Sequence, residues 1–277
     1  QHTGNWPGKT VANAQGKYIH KNINFIVVDI PGTYSLMANS TEEEIARDFI
    51  CFGGPDATVI VTDATCLERN LNLVLQTLEI TGSVVVCVNL LDEAKRKKIN
   101  VNLRKLSELL GVPVVGTCAR DGTGLPELMD SVYAMANKGD SALPIKIVYD
   151  DVIEEAVGIL EPSIRNLPVG RLNSRWLALK LLDKDESLLS AIRNHLGFDL
   201  AKDDRIARKL DEAGKLLSSA GMDRNLLRDK IVTQIVHTAE KIHSGAVCSE
   251  NGKYNSTDRK IDGIITSRIF GIPIMIG

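Results

Sequence analysis

Short apolar runs and longer amphipathic segments alternate along residues 10–138 of this chain. The runs, rich in Val and Ile, predict strands over 10–19, 23–29, 57–63, 84–89 and 112–116, of the kind buried on both faces. Between them the spacing of apolar positions predicts helices over 41–51, 67–81, 93–110 and 125–136, the third with a break near Asn100-Val101-Asn102. Ser40 or Thr41 followed by Glu42-Glu43-Glu44 reads as a helix start, with acids at the positive end of the helix dipole. This alternation predicts an α/β sheet with helices on both faces. Ligands of such sheets bind at the carboxyl ends of the strands, where Asp29 and Asn89 fall.

The pattern changes over 137–150, where Asn137-Lys138-Gly139-Asp140-Ser141-Ala142-Leu143-Pro144 marks a boundary. Beyond it strand patterns disappear. Segments 151–166, 172–183, 185–197, 202–219 and 223–244 carry apolar residues at helical spacing. Ile231, Ile235, Val236 and Ala239 form one expected core stripe, and Leu177, Leu181 and Leu182 another. A small all-helical domain is the expectation, with no internal repeat and no low-complexity tract.

Composition narrows the class. The 277 residues suit two domains, and 44% hydrophobic with 25% charged residues describes a globular chain. A net charge of −2 gives no electrostatic case for a nucleic-acid partner, and Lys95-Arg96-Lys97-Lys98 reads as a solvated helix end. The five cysteines form no CxxC pair, which fits buried thiols in a reducing compartment rather than a disulfide framework or a zinc site. The histidines show no metal-binding spacing. The apolar tail Ile264–Gly277 is shorter than the roughly 20 residues that span a bilayer. Both ends read as cuts through a longer protein.

Gly4-Asn5-Trp6-Pro7-Gly8-Lys9-Thr10 imitates a phosphate loop, but three residues separate its glycines where that loop needs four. Too little chain precedes it for the required strand, and residues 11–18 after it suit a strand rather than a helix. The better reading is a switch loop in which Thr10 meets Mg²⁺ through its hydroxyl and the γ-phosphate through its backbone.

Asp29-Ile30-Pro31-Gly32 closes an apolar strand as a second switch would. Asp29 holds Mg²⁺ through water in that reading, and the Gly32 N–H faces the γ-phosphate where a bare backbone approaches closely. Val86-Cys87-Val88-Asn89-Leu90-Leu91-Asp92 places Asn and Asp three residues apart at a strand end. The Asp92 carboxylate can accept two hydrogen bonds from guanine N1–H and its 2-amino group, a pair adenine does not offer. Such charge-assisted bonds are worth roughly 1.5–3 kcal/mol each. Asn89 ties the base loop to neighbouring backbone in this reading. Asp92 could equally cap a helix starting at Glu93. Thr117-Cys118-Ala119-Arg120 ends the next strand and supplies a third base-side loop, with the Ala119 N–H directed at the guanine carbonyl.

These motifs in this order, with Leu67-Glu68-Arg69-Asn70-Leu71, Leu109-Leu110-Gly111-Val112-Pro113 and Ala119-Arg120-x-Gly122-x-Gly124, closely resemble the ferrous-iron transport protein B (FeoB) family. Arg175-Trp176-Leu177-Ala178-Leu179-Lys180 and Asp258-Arg259-Lys260-Ile261-Asp262 extend the resemblance over essentially the whole chain. It implies a Ras-like GTPase domain over 1–138, truncated at its N-terminus, then a helical domain over 145–256 and an approach to a membrane domain over 259–277. It implies GTP or GDP and Mg²⁺ as ligands, held by Thr10, Asp29, Gly32, Asn89, Asp92, Cys118 and Ala119. It places the parent at the cytoplasmic face of a bacterial inner membrane, as a transporter compatible with homo-oligomers that moves Fe²⁺ through a membrane part not contained here.

The family's domain begins with a strand and a phosphate loop, neither of which this sequence contains. Very weak GTP binding and no measurable hydrolysis by the chain itself are therefore expected, and the strands at 23–29 and 57–63 should show exposed apolar edges. Thr33 and Tyr34 follow Gly32 where some GTPases place a water-orienting glutamine, so slow hydrolysis is expected of the parent too. The alternative is a soluble Era-like GTPase of ribosome or tRNA maturation, which would call for a basic RNA-binding appendage.

Overall fold

The computed structural model describes residues 2–5, 12–37, 40–138 and 143–249. Along the first half run β1 (His2–Asn5), β2 (Ala12–His20), β3 (Ile23–Asp29), α1 (Thr41–Phe52), β4 (Thr58–Asp63), α2 (Leu67–Ile80), β5 (Val84–Asn89), α3 (Leu91–Arg96), β6 (Ile99–Val101), α4 (Leu103–Leu110), β7 (Val114–Gly116) and α5 (Leu125–Lys138). The second half holds α6 (Asp151–Arg165), α7 (Ser174–Asp183), α8 (Glu186–Leu196), α9 (Asp204–Ser219), α10 (Arg224–Ala246) and β8 (Val247–Ser249).

β4, β5 and β7 form a parallel sheet in the order β4-β5-β7. Side chains alternate across a strand, and β5 shows the result. Val84, Val86 and Val88 join the core that includes Leu71, Val74 and Leu75 of α2, whereas Val85 and Cys87 join Leu128, Val132 and Met135 of α5. Helices therefore cover both faces, and β5 reads as an unbroken apolar run for that reason. Burying one such aliphatic side chain contributes about 1.5–3 kcal/mol.

Helix boundaries follow local chemistry. The Ser40 hydroxyl accepts the Glu43 N–H at the start of α1, and the side chains of Asn102 and Asp185 cap α4 and α8 in the same way. Gly111 ends α4 in the left-handed region at φ 72°.

β1, β2 and β3 form a separate antiparallel sheet. The β2–β3 hairpin turns through Lys21 and Asn22, both at positive φ (50° and 61°), as a two-residue hairpin loop requires. Asp130 of α5 ties this turn down, 2.5 Å from His20 Nε2 and 2.8 Å from Lys21 Nζ. Phe25 packs against the α5 cluster, so one helix touches both sheets. No ladder joins β3 to β4 among the described residues. Ile26 is 70% exposed and Val61 64%, the exposure expected of two apolar strands lacking a neighbour.

Three expectations need correction. The segment 93–110 is not one broken helix: α3 and α4 flank the strand β6. Strands do not vanish after residue 150, because β8 pairs antiparallel with β6, Asn100 opposite Cys248. Val236 leaves the core stripe: Ile231, Ile235 and Ala239 are buried, but Val236 is 41% exposed. Leu177, Leu181 and Leu182 are buried as expected. Among the described residues no helix is long and apolar enough to cross a membrane.

Candidate functional site

The carboxyl ends of β5 and β7 meet in a hydrogen-bonded cluster centred on Asn89. Its Oδ1 accepts the Ala119 N–H at 3.0 Å and the Thr117 hydroxyl at 3.1 Å. Thr117 is buried, its N–H donates to the Val88 carbonyl at 2.8 Å, and its hydroxyl lies 3.2 Å from Cys87 Sγ. Burial raises the Cys87 thiol pKa and keeps it protonated. The Asn89 carbonyl in turn accepts the Ala64 N–H at 3.0 Å, joining the end of β4 to the same cluster. Each such bond contributes about 1 kcal/mol net, and more is lost when one partner is removed.

The loop carrying Cys118 and Ala119 folds back on itself. The Cys118 N–H donates to the Thr123 carbonyl at 3.0 Å, and the Gly122 N–H to the Cys118 carbonyl at 3.1 Å. Asp121 Oδ1 accepts the Thr123 N–H at 2.9 Å, which lowers the Asp121 pKa. Gly124 then turns the chain at φ +80°, and a Cβ there would lie 2.1 Å from the Gly116 carbonyl oxygen. Only glycine fits this approach.

Asp92 sits in the first turn of α3, where its carboxylate is favourably placed by the helix dipole. It makes no capping bond: Leu90 precedes the helix in the left-handed region at φ 62° without a side-chain cap, which sets aside the capping role. The Asp92 side chain is 39% exposed and 3.7 Å from the Arg96 guanidinium, which also pairs with Glu93. Asp92 is thus solvent-accessible after the end of β5, as Ala119 is after the end of β7.

Among the described residues no hydrogen bond links Asp29 or Gly32 to this cluster. Asp29 ends β3 and is exposed, as is Gly32, which has no atom within 4 Å of a built Cβ. Thr10 lies outside the described residues. The segment after Gly32 is well anchored: Gln76 Oε1 of α2 accepts the Leu36 N–H at 2.6 Å and the Ser35 hydroxyl at 3.2 Å. Thr33 Oγ1 accepts the Ser35 N–H at 3.1 Å. Sequence reasoning missed Gln76, since nothing in a helix pattern marks which polar residue reaches a distant loop. Thr33 and Tyr34 do share a cavity of about 290 Å³ with Asp63, Asn70, Asn89 and Leu90. In that cavity the switch segment and the base-side cluster face common space.

As a metal site, Asp29 and Thr10 offer a carboxylate and a hydroxyl, hard oxygen donors of the kind Mg²⁺ takes alongside phosphate oxygens. Among the described residues no three His, Cys, Asp or Glu side chains gather as a metal cluster.

Comparison with known proteins bears on the whole chain. Residues 1–132 match the family described as ferrous iron transport protein B, and residues 149–248 match the FeoB cytosolic helical domain. The chain is 32% identical to an Fe(2+) transport protein A/Fe(2+) transporter FeoB fusion protein of Porphyromonas gingivalis, over 100% of its own length and 33% of the relative. It is 29% identical to the Fe(2+) transporter FeoB of Salmonella typhimurium, over 100% of the chain and 34% of that protein. The chain thus spans about a third of the curated relatives it matches. Among solved structures, the cytosolic domain of the T. maritima FeoB iron transporter in a GDP form aligns with a TM-score of 0.71 at 28% identity, covering 89% of each chain. A GMPPNP form of the same domain aligns with a TM-score of 0.71, also at 28% identity, covering 90% of each chain. The cytosolic domain of L. pneumophila FeoB aligns at 0.70 with 26% identity, covering 90% of each chain. The architecture is that of the FeoB cytosolic region, a G domain with a helical domain after it.

Proposed function

The chain belongs to the ferrous iron transport protein B family, and from that membership we propose that it is the guanine-nucleotide-responsive portion of a bacterial ferrous-iron transporter. Residues 1–138 are assigned to its nucleotide domain and 145–256 to the helical connection; the assignment of 259–277 to the approach to the membrane part lies outside the described residues. The parent works at the cytoplasmic face of the inner membrane, and Fe²⁺ passes only through its membrane domain.

The observation that carries this reading is the pair of hydrogen bonds that Asn89 Oδ1 accepts, one from the Thr117 hydroxyl and one from the Ala119 N–H. It holds two loops at one strand-end mouth beside Asp92. In the liganded state the Asp92 carboxylate accepts guanine N1–H and the 2-amino group. Cys118 and Ala119 border the base, and the Ala119 N–H, engaged by Asn89 here, is shared with the guanine carbonyl. Asp29, Gly32 and Thr10 serve the phosphate side, with Mg²⁺ supplying charge neutralisation there. The sequence contains no Gly-x-x-x-x-Gly-Lys loop. About four charge-assisted contacts are thereby missing, a deficit of roughly 6 kcal/mol or about four decades of affinity. The chain itself binds GTP very weakly and hydrolyses none measurably.

Asp92→Asn, made in the chain extended upstream by a phosphate loop, tests the assignment. Preference should shift from guanine to xanthine nucleotides in competition binding. Unchanged GTP preference would remove Asp92 from its role.

A further inference from the structure

A second cavity, of about 360 Å³, opens between the segment after Gly32, helix α2, and helices α7 and α10. That volume lies within the range of small-molecule sites, roughly 300–1,000 Å³. Nothing in the nucleotide reading uses it.

Its charges are unevenly matched. Arg228 is committed to buried Asp183, Nε to Oδ1 at 3.1 Å and Nη2 to Oδ2 at 3.2 Å. Asp185 accepts the Leu188 N–H as the cap of α8. Two further cations line the space, Arg69 and Lys180. Arg69 lies over the Tyr34 ring, 4.4 Å from its centroid, and neither cation forms an ion pair with a carboxylate among the described residues. The field of Lys180 reaches Glu79 and Cys51, and burial raises the pKa of both groups.

Part of the lining is apolar. Val232 and Val236 stand one turn apart on α10, 38% and 41% exposed, while Ile231 and Ala239 of the same helix are buried. Met37 and Ile235 extend this apolar part. Covering exposed apolar surface contributes about 25 cal/mol per Å². A ligand that satisfies both parts of the lining carries an apolar body and a concentrated negative charge. Three cations face two carboxylates here, and the two cations without an ion-pair partner favour an anion with several acceptor oxygens, such as the phosphate monoester supplies near neutral pH.

We infer that this cavity binds a small phosphate monoester with an apolar body, its phosphate held by Arg69 and Lys180 and its body laid against Met37, Val232 and Val236. Arg presents a planar fork suited to phosphate oxygens, and Lys adds a point charge. The bound molecule bridges the Tyr34 segment to the helical region, so the site joins the two halves of the chain. Binding itself does not depend on the guanine assignment.

Hexyl phosphate is the probe, followed by amide and methyl NMR on the whole chain, with inorganic phosphate and hexanol as head-only and body-only controls. Saturable shifts at Tyr34, Val232 and Val236 are expected, with each control at least about tenfold weaker. Arg69→Gln and Lys180→Gln should each weaken hexyl phosphate roughly tenfold, the effect of one charge-assisted bond. Val236→Asp should abolish binding, and Arg69→Lys should recover part of it by restoring charge without the fork. Arg208→Gln, at an exposed position of α9, should change nothing. Thermal melts establish that each variant is folded. A twelve-carbon phosphate that binds tighter still indicates a lipid source, and one that binds no tighter indicates a soluble ester. Unsaturable shifts, saturable shifts indifferent to Arg69, Lys180 and Val236, or an equal response to inorganic phosphate would overturn the inference.

Discussion

The two sides of the proposed nucleotide site are built very differently. On the base side, Asn89, Thr117 and Ala119 are knitted by side-chain and backbone bonds onto a sheet whose central strand is buried on both faces. On the phosphate side, Asp29 and Gly32 stand exposed at the end of a hairpin that shares no ladder with that sheet among the described residues. A parallel sheet organises only the residues hydrogen-bonded into it. The base side is therefore set before any ligand arrives, whereas the phosphate side depends on what completes the space beside β3 and β4.

The largest expected effect tests this asymmetry directly. An upstream extension supplying one strand and a phosphate loop should raise GTP affinity by about four decades, the equivalent of roughly 6 kcal/mol. It should also bury Ile26 and Val61, read out as slowed amide exchange in β3 and β4. A rise of less than about tenfold, with β3 and β4 still exchanging fast, would mean that the phosphate side is limited by something other than missing neighbours.

Next in size is Gly124→Ala. It places a Cβ 2.1 Å from the Gly116 carbonyl at φ +80° and should cost about 3 kcal/mol in chemical unfolding. Asn89→Ala comes after it, at about 2 kcal/mol, because the Ala119 N–H and Thr117 hydroxyl lose their acceptor. If Asn89→Ala leaves stability unchanged, the base side is less firmly built than its hydrogen bonds indicate.

Much of this contrast is legible in the residues. The strand ends at Asp29 and Asn89, the Ser40 cap and the boundaries of α1 and α2 follow from periodicity and capping chemistry alone. So does the expected exposure of the apolar edges at β3 and β4. The rest depends on tertiary context. Lys21-Asn22 adopts a hairpin turn without glycine because Asp130 on a distant helix holds it. Three-residue strands such as β6 and β8 carry too little pattern to declare themselves, and each exists through the other. Val236 sits at core spacing yet faces a cavity, since periodicity places residues on a helix face without saying what lies opposite. Gln76 is a polar residue on a helix until the fold brings residues 35 and 36 to it.

The smallest effect concerns α2, which underlies both sides and meets the helical region at Glu79. Tyr149 Oη donates to Glu79 Oε1 at 2.5 Å, and burial raises the Glu79 pKa above its ordinary value. The folded state then holds its proton more tightly than the unfolded state does. The contribution of Glu79 to stability should be complete below the ordinary carboxylate range and fall as pH rises through the raised value. Glu79→Gln should flatten that fall in denaturant midpoints measured across acidic to neutral pH. An unaltered slope would show that another group titrates there.

Amide hydrogen exchange of the chain with millimolar GDP or ADP probes the central claim most directly, because saturation compensates for weak phosphate contacts. GDP should slow exchange across residues 89–92 and 117–120, and ADP should leave both segments unchanged. Equal protection by the two nucleotides, or protection by GDP that bypasses these segments, would contradict the placement of a guanine-reading site at the ends of β5 and β7.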